Sequence, residues 1–462
     1  MFSFIFTFLI CSTFLVSFFD LEKEDESIYI IFSSALAISA AINGIFGITL
    51  TFLNCLYFPL YLLLFLMNIV FLINNQYRLN LFLFLRKCNS ELKTYLNRDD
   101  NKIYKIIFFI YIFLMLLTSF GPINHSDAAN VYVGYPYKFW INNQHFIDGN
   151  LNQGLLGLAD FSNIFYFQDR TTWLIRVTQF LPMIPFILLC LKRQTSKIVI
   201  FIILSAPVFM QWFTLGKTNF LSESCLVLAF LVWEKNRNNS NLILLLSLIF
   251  ISISFKISAI LICLPFLLYL LLFYRINLFN LKSLLNKKHA LIWPILIALI
   301  GLFSILLYRN YLFGNPFFPL FSNIFSTENQ QLQDWEVLLK NWERSKFSIL
   351  WIFLPEKLGK ISVVLGPANF LLLISTIIVL LRSSKSKIQI NFVIGIVQFL
   401  ILFLFAQGRA DYFISPLLLS FIGMKNIDLF FIKNEIPLIR YISFSSIFFQ
   451  LSMFLISFFY FT

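Results

Sequence analysis

The chain has 462 residues, of which 59% are hydrophobic and 12% charged, with a mean hydropathy of +0.82 and a formal net charge of +13. Soluble domains carry about 25% charged residues, so this composition excludes an ordinary soluble globular protein and points to a helical chain that keeps most of its surface in lipid. The basic residues sit in short stretches between apolar runs, as membrane topology demands, which argues against nucleic acid as a partner.

In chain order, residues 2–19 form the first apolar run. No basic region precedes it, and the acidic DLEKEDES follows where a signal peptide would have small residues, so it reads as a retained span. Residues 28–73 are long enough for two spans, the first containing SSALAISAAINGIFG. Next comes NNQYRLNLFLFLRKCNSELKTYLNRDDNK, the most basic loop, with Arg78, Arg86, Lys87, Lys93, Arg98, Lys102 and Lys105 in or just after it. The positive-inside rule puts it in the cytoplasm.

From that anchor the spans alternate. A span near 104–120 exits to a long outer loop, 121–172, and one near 173–191 returns to KRQTSK. Spans near 198–214 and 219–233 go out to GKTN and back to EKNRNN, and 241–273 reads as an out-and-back pair turning near Lys256. The basic RINLFNLKSLLNKKH lies inside, and a span near 290–308 exits to a second long outer loop, 309–360. Spans near 361–381, 388–406, 412–424 and 441–460 complete the pattern. The expectation is an all-α polytopic protein with about 14 spans, one transmembrane domain over residues 1–462, in a bacterial inner or plasma membrane. The two outer loops mix aromatics with charges and suit short interfacial helices.

Several signals carry little. With 60 phenylalanines, a Phe stripe reads as lipid-facing or core filler rather than as a site. Six cysteines form no CxxC pair and three histidines are scattered, so no metal centre is expected from the residues.

The groups that could do chemistry gather on the outer side. Asp127 follows the helix-ending Gly121-Pro122, and either it or Ser126 suits the cap of a helix over AANVYVGYPYKFWINNQ. Asp127 also suits a general base at the edge of the apolar phase, where desolvation raises a carboxyl pKa. His125 is close in sequence and either assists or faces water. Tyr132 and Tyr135 are either belt residues or platforms for a sugar ring. Lys217, Glu223, Lys256 and Arg409 fall near the outer ends of spans, where ionisable groups are costly. Arg309 either meets a phosphate or snorkels to the surface. Gly314, Pro316 and Pro319 read as a stiff architectural turn.

Three segments carry a family resemblance: HSDAANVYVGYPYKFWINNQHFIDG, RNYLFGNPFFPLF and GRADYFISPLLL. Together they resemble the GT-C superfamily of integral-membrane glycosyltransferases, in particular bacterial proteins resembling glycosyltransferase family 39. The matching positions are Asp127, Ala128, Tyr132 and Gly149 in the first, Gly314, Asn315, Pro316, Phe318 and Pro319 in the second, and Arg409, Tyr412 and Pro416 in the third. This chain has one acid, Asp127, where several such proteins have two, and Asn219 and then Glu223 where an acid usually opens a span.

The resemblance implies a polyprenyl-phosphate-linked sugar as donor, a glycan, lipid or protein as acceptor, and an active site facing the extracytoplasmic side. It implies Asp127 as base, Glu223 as supporting acid, and Lys217, Lys256, Arg309 and Arg409 as residues for the donor phosphate. No certain cofactor follows, although some relatives use a divalent cation. Two other readings stand beside it. An O-antigen-type polymerase or ligase would rest on loop arginines and a histidine. A lipid-linked sugar flippase or other transporter would line a continuous path with charges, whereas these spans are clean away from their outer ends.

Overall fold

The computed structural model describes residues 2–19, 27–56, 66, 69, 73–97, 102–121, 123, 128–142, 151–169, 172–181, 184, 187–189, 197–209, 221–223, 226–227, 239–274, 292–321, 324–325, 333, 350–355, 364–382, 390–405 and 437–461. The fold is all-α, with no strand among the described residues. The main helices are α1 (Phe2–Val16), α2 (Ser27–Phe52), α3 (Asn75–Asn97), α4 (Lys102–Phe120), α5 (Gly134–Asn142), α6 (Leu158–Ser162) and α7 (Trp173–Phe180). They continue with α8 (Lys197–Leu204), α9 (Asn239–Phe255), α10 (Ala259–Tyr274), α11 (Ile292–Phe313), α12 (Pro367–Arg382), α13 (Ile390–Phe405) and α14 (Pro437–Phe461).

The chain divides into two compact units. One comprises Met1–Phe186, Gly216–Ala259 and Asn277–Asp334; the other comprises Ile187–Leu215, Ile260–Ile276 and Trp335–Thr462. This differs from the single domain expected over 1–462, because hydropathy marks apolar runs without saying which of them pack together.

In the first unit α2 is central, and its sequence explains why. Ser33, Ser34, Ala35, Ala37, Ala40 and Ala41 are all buried, and such small side chains let neighbouring backbones approach closely. Gly44 and Gly47 take this furthest: a Cβ there would lie 2.2 Å from the Leu158 carbonyl oxygen and 2.4 Å from that of Phe161. Thus α6 lies backbone-to-backbone on α2. Among the described residues, α2 and α11 contain the two helices long and apolar enough to cross a membrane, Ile28–Phe52 and Ile292–Phe313. The most apolar window of α2 is 83% buried and that of α11 is 33%, so α2 is the core of its unit and α11 its flank.

The face pattern of α11 suits lipid outside it. Trp293, Leu296, Ile300, Phe303, Leu307 and Tyr311 are exposed along one side, while Ala298, Gly301, Tyr308 and Arg309 are buried on the other. Large apolar groups outward with small and polar groups inward is the pattern of a helix packed among helices in a bilayer.

Two sequence expectations change here. The basic stretch after the early spans is a 23-residue helix, α3, rather than a loop. Charge reports the side of the membrane, but Phe84 and its apolar neighbours, recurring at helical spacing, decide the conformation. Phe84 is buried against Phe8 and Phe32, and Asn80 Nδ2 donates to the Thr13 carbonyl at 3.3 Å. The helix expected over 128–144 is broken: a π-helical turn spans Ala128–Tyr132 and α5 starts at Gly134. Gly134 permits the break, since a Cβ there would lie 2.1 Å from the Ala129 carbonyl oxygen. The expected turn at Lys256 is present: α9 ends at Phe255, the Ala259 N–H donates to the Lys256 carbonyl at 2.9 Å, and α10 begins at Ala259.

The second unit is tied by side-chain amides. Gln450 of α14 is fully buried; its Nε2 donates to the Ile202 carbonyl at the end of α8, and to Ser205 Oγ at 2.9 Å. Its Oε1 accepts the Ala368 N–H at 2.9 Å and the Asn369 N–H at 3.3 Å, capping the first turn of α12. Gln398 of α13 donates to the Ile262 carbonyl of α10 at 2.6 Å. Such cross-helix bonds link apolar helices in an environment with no water to compete.

Two measurements check these contacts. Gly44→Val should lower the melting temperature sharply in detergent, by the equivalent of about 3 kcal/mol, since overpacking meets backbone rather than a movable side chain. On α3, burial pushes the Cys88 thiol up to about 11, with the Glu91 carboxylate adding to it against a backbone hydrogen bond. Thiolate is therefore scarce at neutral pH, and the iodoacetamide rate at Cys88 should climb about tenfold per pH unit from 7.5 to 9.5. A rate that levels off by pH 9 would show an ordinary exposed thiol.

Candidate functional site

The first long loop does more than lie at the interface. Its segment 151–162 enters the core of the first unit, where Gln153, Leu156, Leu158, Asp160 and Phe161 have no exposure. Buried backbone that leaves the helical pattern needs donors for its carbonyls, and α11 provides them. Tyr308 Oη donates to the Gln153 carbonyl at 3.1 Å, Arg309 Nε to that of Gly154 at 3.1 Å, and Arg309 Nη2 to that of Leu156 at 3.0 Å. At Gly157 the chain bends into α6, and Asp160 Oδ2 accepts the Gly157 N–H at 2.8 Å. The carboxylate of Asp160 opposes the charge of Arg309 inside the same region.

The same segment leans on the end of α9. A Cβ at Gly157 would lie 1.7 Å from the Phe255 carbonyl oxygen, so only glycine fits beside the residue that precedes Lys256. Ser222 and Ser252 bond reciprocally, each hydroxyl donating to the other's carbonyl at 2.9 Å. The Ser252 carbonyl also accepts the Lys256 N–H at 3.1 Å. Glu223, buried and next to Ser222, is therefore held at the same turn as the half-buried Lys256. The structure thus places the backbone at Ser222, next to Glu223, beside the last turn of α9 that leads to Lys256, and sets the first-loop segment against Phe255, with Arg309 clamping that segment.

Arg309 takes neither position expected of it. It is 1% exposed, so it neither snorkels nor meets a phosphate at the surface, and two of its donors are committed to carbonyls. Tyr135 is buried within an aromatic series, 6.1 Å from Phe139, which stacks at 6.1 Å on Phe161, which meets Tyr308 edge-on at 5.1 Å. Its ring is core rather than an open platform. Tyr132 is half-buried at the π-helical turn, a distortion common at functional sites. Asp127, His125, Lys217 and Arg409 lie outside the described residues. The GNPFFP segment is architectural, as expected. Gly314 ends α11 in the left-handed region (φ +64°), Asn315 Nδ2 donates to the Leu320 carbonyl at 2.9 Å, and Phe318 stacks on Phe313 at 3.8 Å.

Two residues escape the sequence reading. Asp160 sits in the loop with a glycine three residues before it, the spacing of a reach-back cap. Arg176 of α7 is 2% exposed and donates Nη1 to the Thr118 carbonyl of α4 at 2.8 Å, while Nε and Nη2 have no hydrogen-bond partner among the described residues. A guanidinium so placed can receive an anion. One turn before it, Trp173 packs on Phe120 at 5.2 Å, as an aromatic pair at a membrane interface would. Among the described residues no three His, Cys, Asp or Glu side chains form a group able to hold a metal ion.

Comparison with protein-family models, with curated proteins and with solved structures gives no match to this chain.

Arg309→Lys keeps the charge but not the planar fork that serves both carbonyls. It should lower stability by about 2–4 kcal/mol, read as a fall in melting temperature in detergent. The lipid-side Trp293→Ala should leave melting almost unchanged. Equal melting of Arg309→Lys and the parent would remove the clamp.

Proposed function

We propose that this chain is a multi-pass membrane glycosyltransferase of about 14 spans, GT-C-like in architecture. It moves a sugar from a polyprenyl-phosphate donor to a glycan, lipid or protein acceptor on the extracytoplasmic face of a bacterial inner or plasma membrane. The observation that supports the reading is that the Ser222 hydroxyl, next to Glu223, and the Lys256 backbone N–H both donate to the Ser252 carbonyl, beside a first-loop segment buried under the clamp of Arg309. A buried acid, Glu223, and a half-buried lysine, Lys256, carried by neighbouring backbone beside that segment suit acid–base chemistry next to a lipid-linked anion.

In this reading Asp127 takes the proton of an acceptor hydroxyl as its oxygen attacks the anomeric carbon. The bond from that carbon to the lipid phosphate oxygen breaks, and polyprenyl phosphate leaves as the anion. Lys217 and Arg176 hold the phosphate, and a charge-assisted hydrogen bond there is stronger in an apolar surrounding than in water. Glu223 supports Lys256 in orienting the donor. Arg309 is a positioning residue: it shapes the loop and touches no substrate.

The test uses membranes containing the full chain and a radiolabelled polyprenyl-phosphate sugar, with label transfer as the readout. Asp127→Asn should reduce transfer at least about 100-fold with normal insertion, since a general base contributes that much or more. Asn130→Ala, at an exposed position, should transfer normally. If Asp127→Asn transfers as well as the parent, Asp127 is a helix cap and the proposal falls.

A further inference from the structure

The helix α3 has three sides, and among the described residues one of them packs on protein. That side carries Asn80, Phe84 and Glu91. Its contacts fix how α3 runs. Tyr77 meets Phe14 at 5.1 Å, Asn80 bonds Thr13, Phe84 lies by Phe8 and Phe32, and Glu91 Oε2 accepts the Tyr29 hydroxyl at 3.1 Å. From Tyr77 to Glu91 the helix advances roughly 21 Å. Over that distance the contact moves along α1 from Phe14 to Phe8, roughly 9 Å, and then back along α2 from Phe32 to Tyr29, roughly 5 Å. Phe8 itself touches Phe32 at 5.0 Å. The helix therefore lies across α1 and α2, near the C-terminal end of α1 and the N-terminal end of α2, and does not run down their length.

The remaining two sides are exposed and chemically unlike. Leu85, Leu92 and Leu96, at i, i+7 and i+11, form an apolar stripe, and the exposed Leu79, Phe82 and Leu83 continue the apolar surface in the N-terminal half, in line with the basic residues that follow. Beside it Arg86 and Lys93, at i and i+7, form a basic stripe with the exposed Asn89, Ser90 and Asn97 between and after them. The helix holds four basic residues, Arg78, Arg86, Lys87 and Lys93, against one acid. That acid, Glu91, is already engaged by the Tyr29 hydroxyl and by Lys87 at 3.9 Å. No acid of α3 is left to neutralise Arg86 and Lys93.

We propose that α3 is an in-plane helix that binds anionic phospholipid of the cytoplasmic leaflet. Its leucine stripe sinks among the acyl chains, and Arg86 and Lys93 hold lipid phosphates. An apolar side next to a basic side on a helix lying across its neighbours is the arrangement that rests in an interface, and a basic cluster there selects anionic headgroups. The inference needs only that the chain is in a membrane. It stands or falls separately from sugar transfer.

The experiment uses the full chain reconstituted in phosphatidylethanolamine bilayers doped with phosphatidylglycerol. The protein is extracted in mild detergent, and its bound phospholipid is quantified by mass spectrometry. Phosphatidylglycerol should be enriched over its bulk share. The enrichment should fall about fivefold for each basic residue neutralised in Arg86→Gln and Lys93→Gln, and should fall for the parent as salt is raised. Thr94→Ala should keep it. An unchanged melting temperature and unchanged iodoacetamide reactivity of Cys88 certify that the variants fold. Bulk lipid ratios in the parent, or full enrichment in Arg86→Gln/Lys93→Gln, would overturn the proposal. So would a stripe that becomes amine-reactive at Lys93 in intact membranes only after peripheral proteins are washed away, because its occupant would then be a protein.

Discussion

A peptide carbonyl inside a membrane protein must find a donor within the protein, and this requirement organises the first unit. The segment 153–157 leaves helical geometry while buried, which would be prohibitive with its carbonyls bare. Tyr308 and Arg309 cover three of them from one helix. Because these donors sit side by side on α11, the segment is held in register with that helix, and α6 follows it onto the glycines of α2. The end of α9 is reached by the same route through Gly157. Remove the guanidinium, and the loop, the α2 contact and the Lys256 turn lose their common support.

The placement of a cation at 309 therefore has a structural cause that is independent of any substrate. A guanidinium is suited to it because its planar set of donors reaches two carbonyls from one side chain. Arg176 presents the opposite case: equally buried, with one backbone acceptor and two further N–H groups without a partner among the described residues. Two arginines that look alike in sequence, each within a turn or so of the end of an apolar run, thus divide between holding the chain and being available to an anion.

Much of the architecture was legible from hydropathy: the apolar helices α1, α2, α4 and α9 to α14 and the turn at Lys256 follow from runs and their punctuation. The α3 helix was not, because lysines and arginines were weighed for topology while the leucines between them were not counted for periodicity. The burial of 151–162 was hidden because LLGLADFS is too short for any span signal, and its partners at Gly44, Gly157 and Tyr308 are far apart in the chain. For the candidate site, Glu223 and Lys256 stand out in the sequence as costly ions near the bilayer, but the closeness of the backbone beside them is not foreseeable. It depends on a pair of serines, Ser222 and Ser252, whose hydroxyls carry no charge and leave no trace in a hydropathy profile.

Gln450 gives the second unit an order in time. Its amide supplies groups that the end of α8 and the start of α12 use, 248 positions earlier for Ile202 and 82 for Ala368. A ribosome delivers those earlier elements first, so during synthesis they wait for the Gln450 amide that later bonds them. Gly366, whose left-handed backbone (φ +91°) leaves room for the Gln450 side chain, keeps that place free until α14 arrives. The unit is therefore locked late, by one side chain, and a nascent chain stalled before α14 would remain open to whatever assists or removes unfinished membrane proteins.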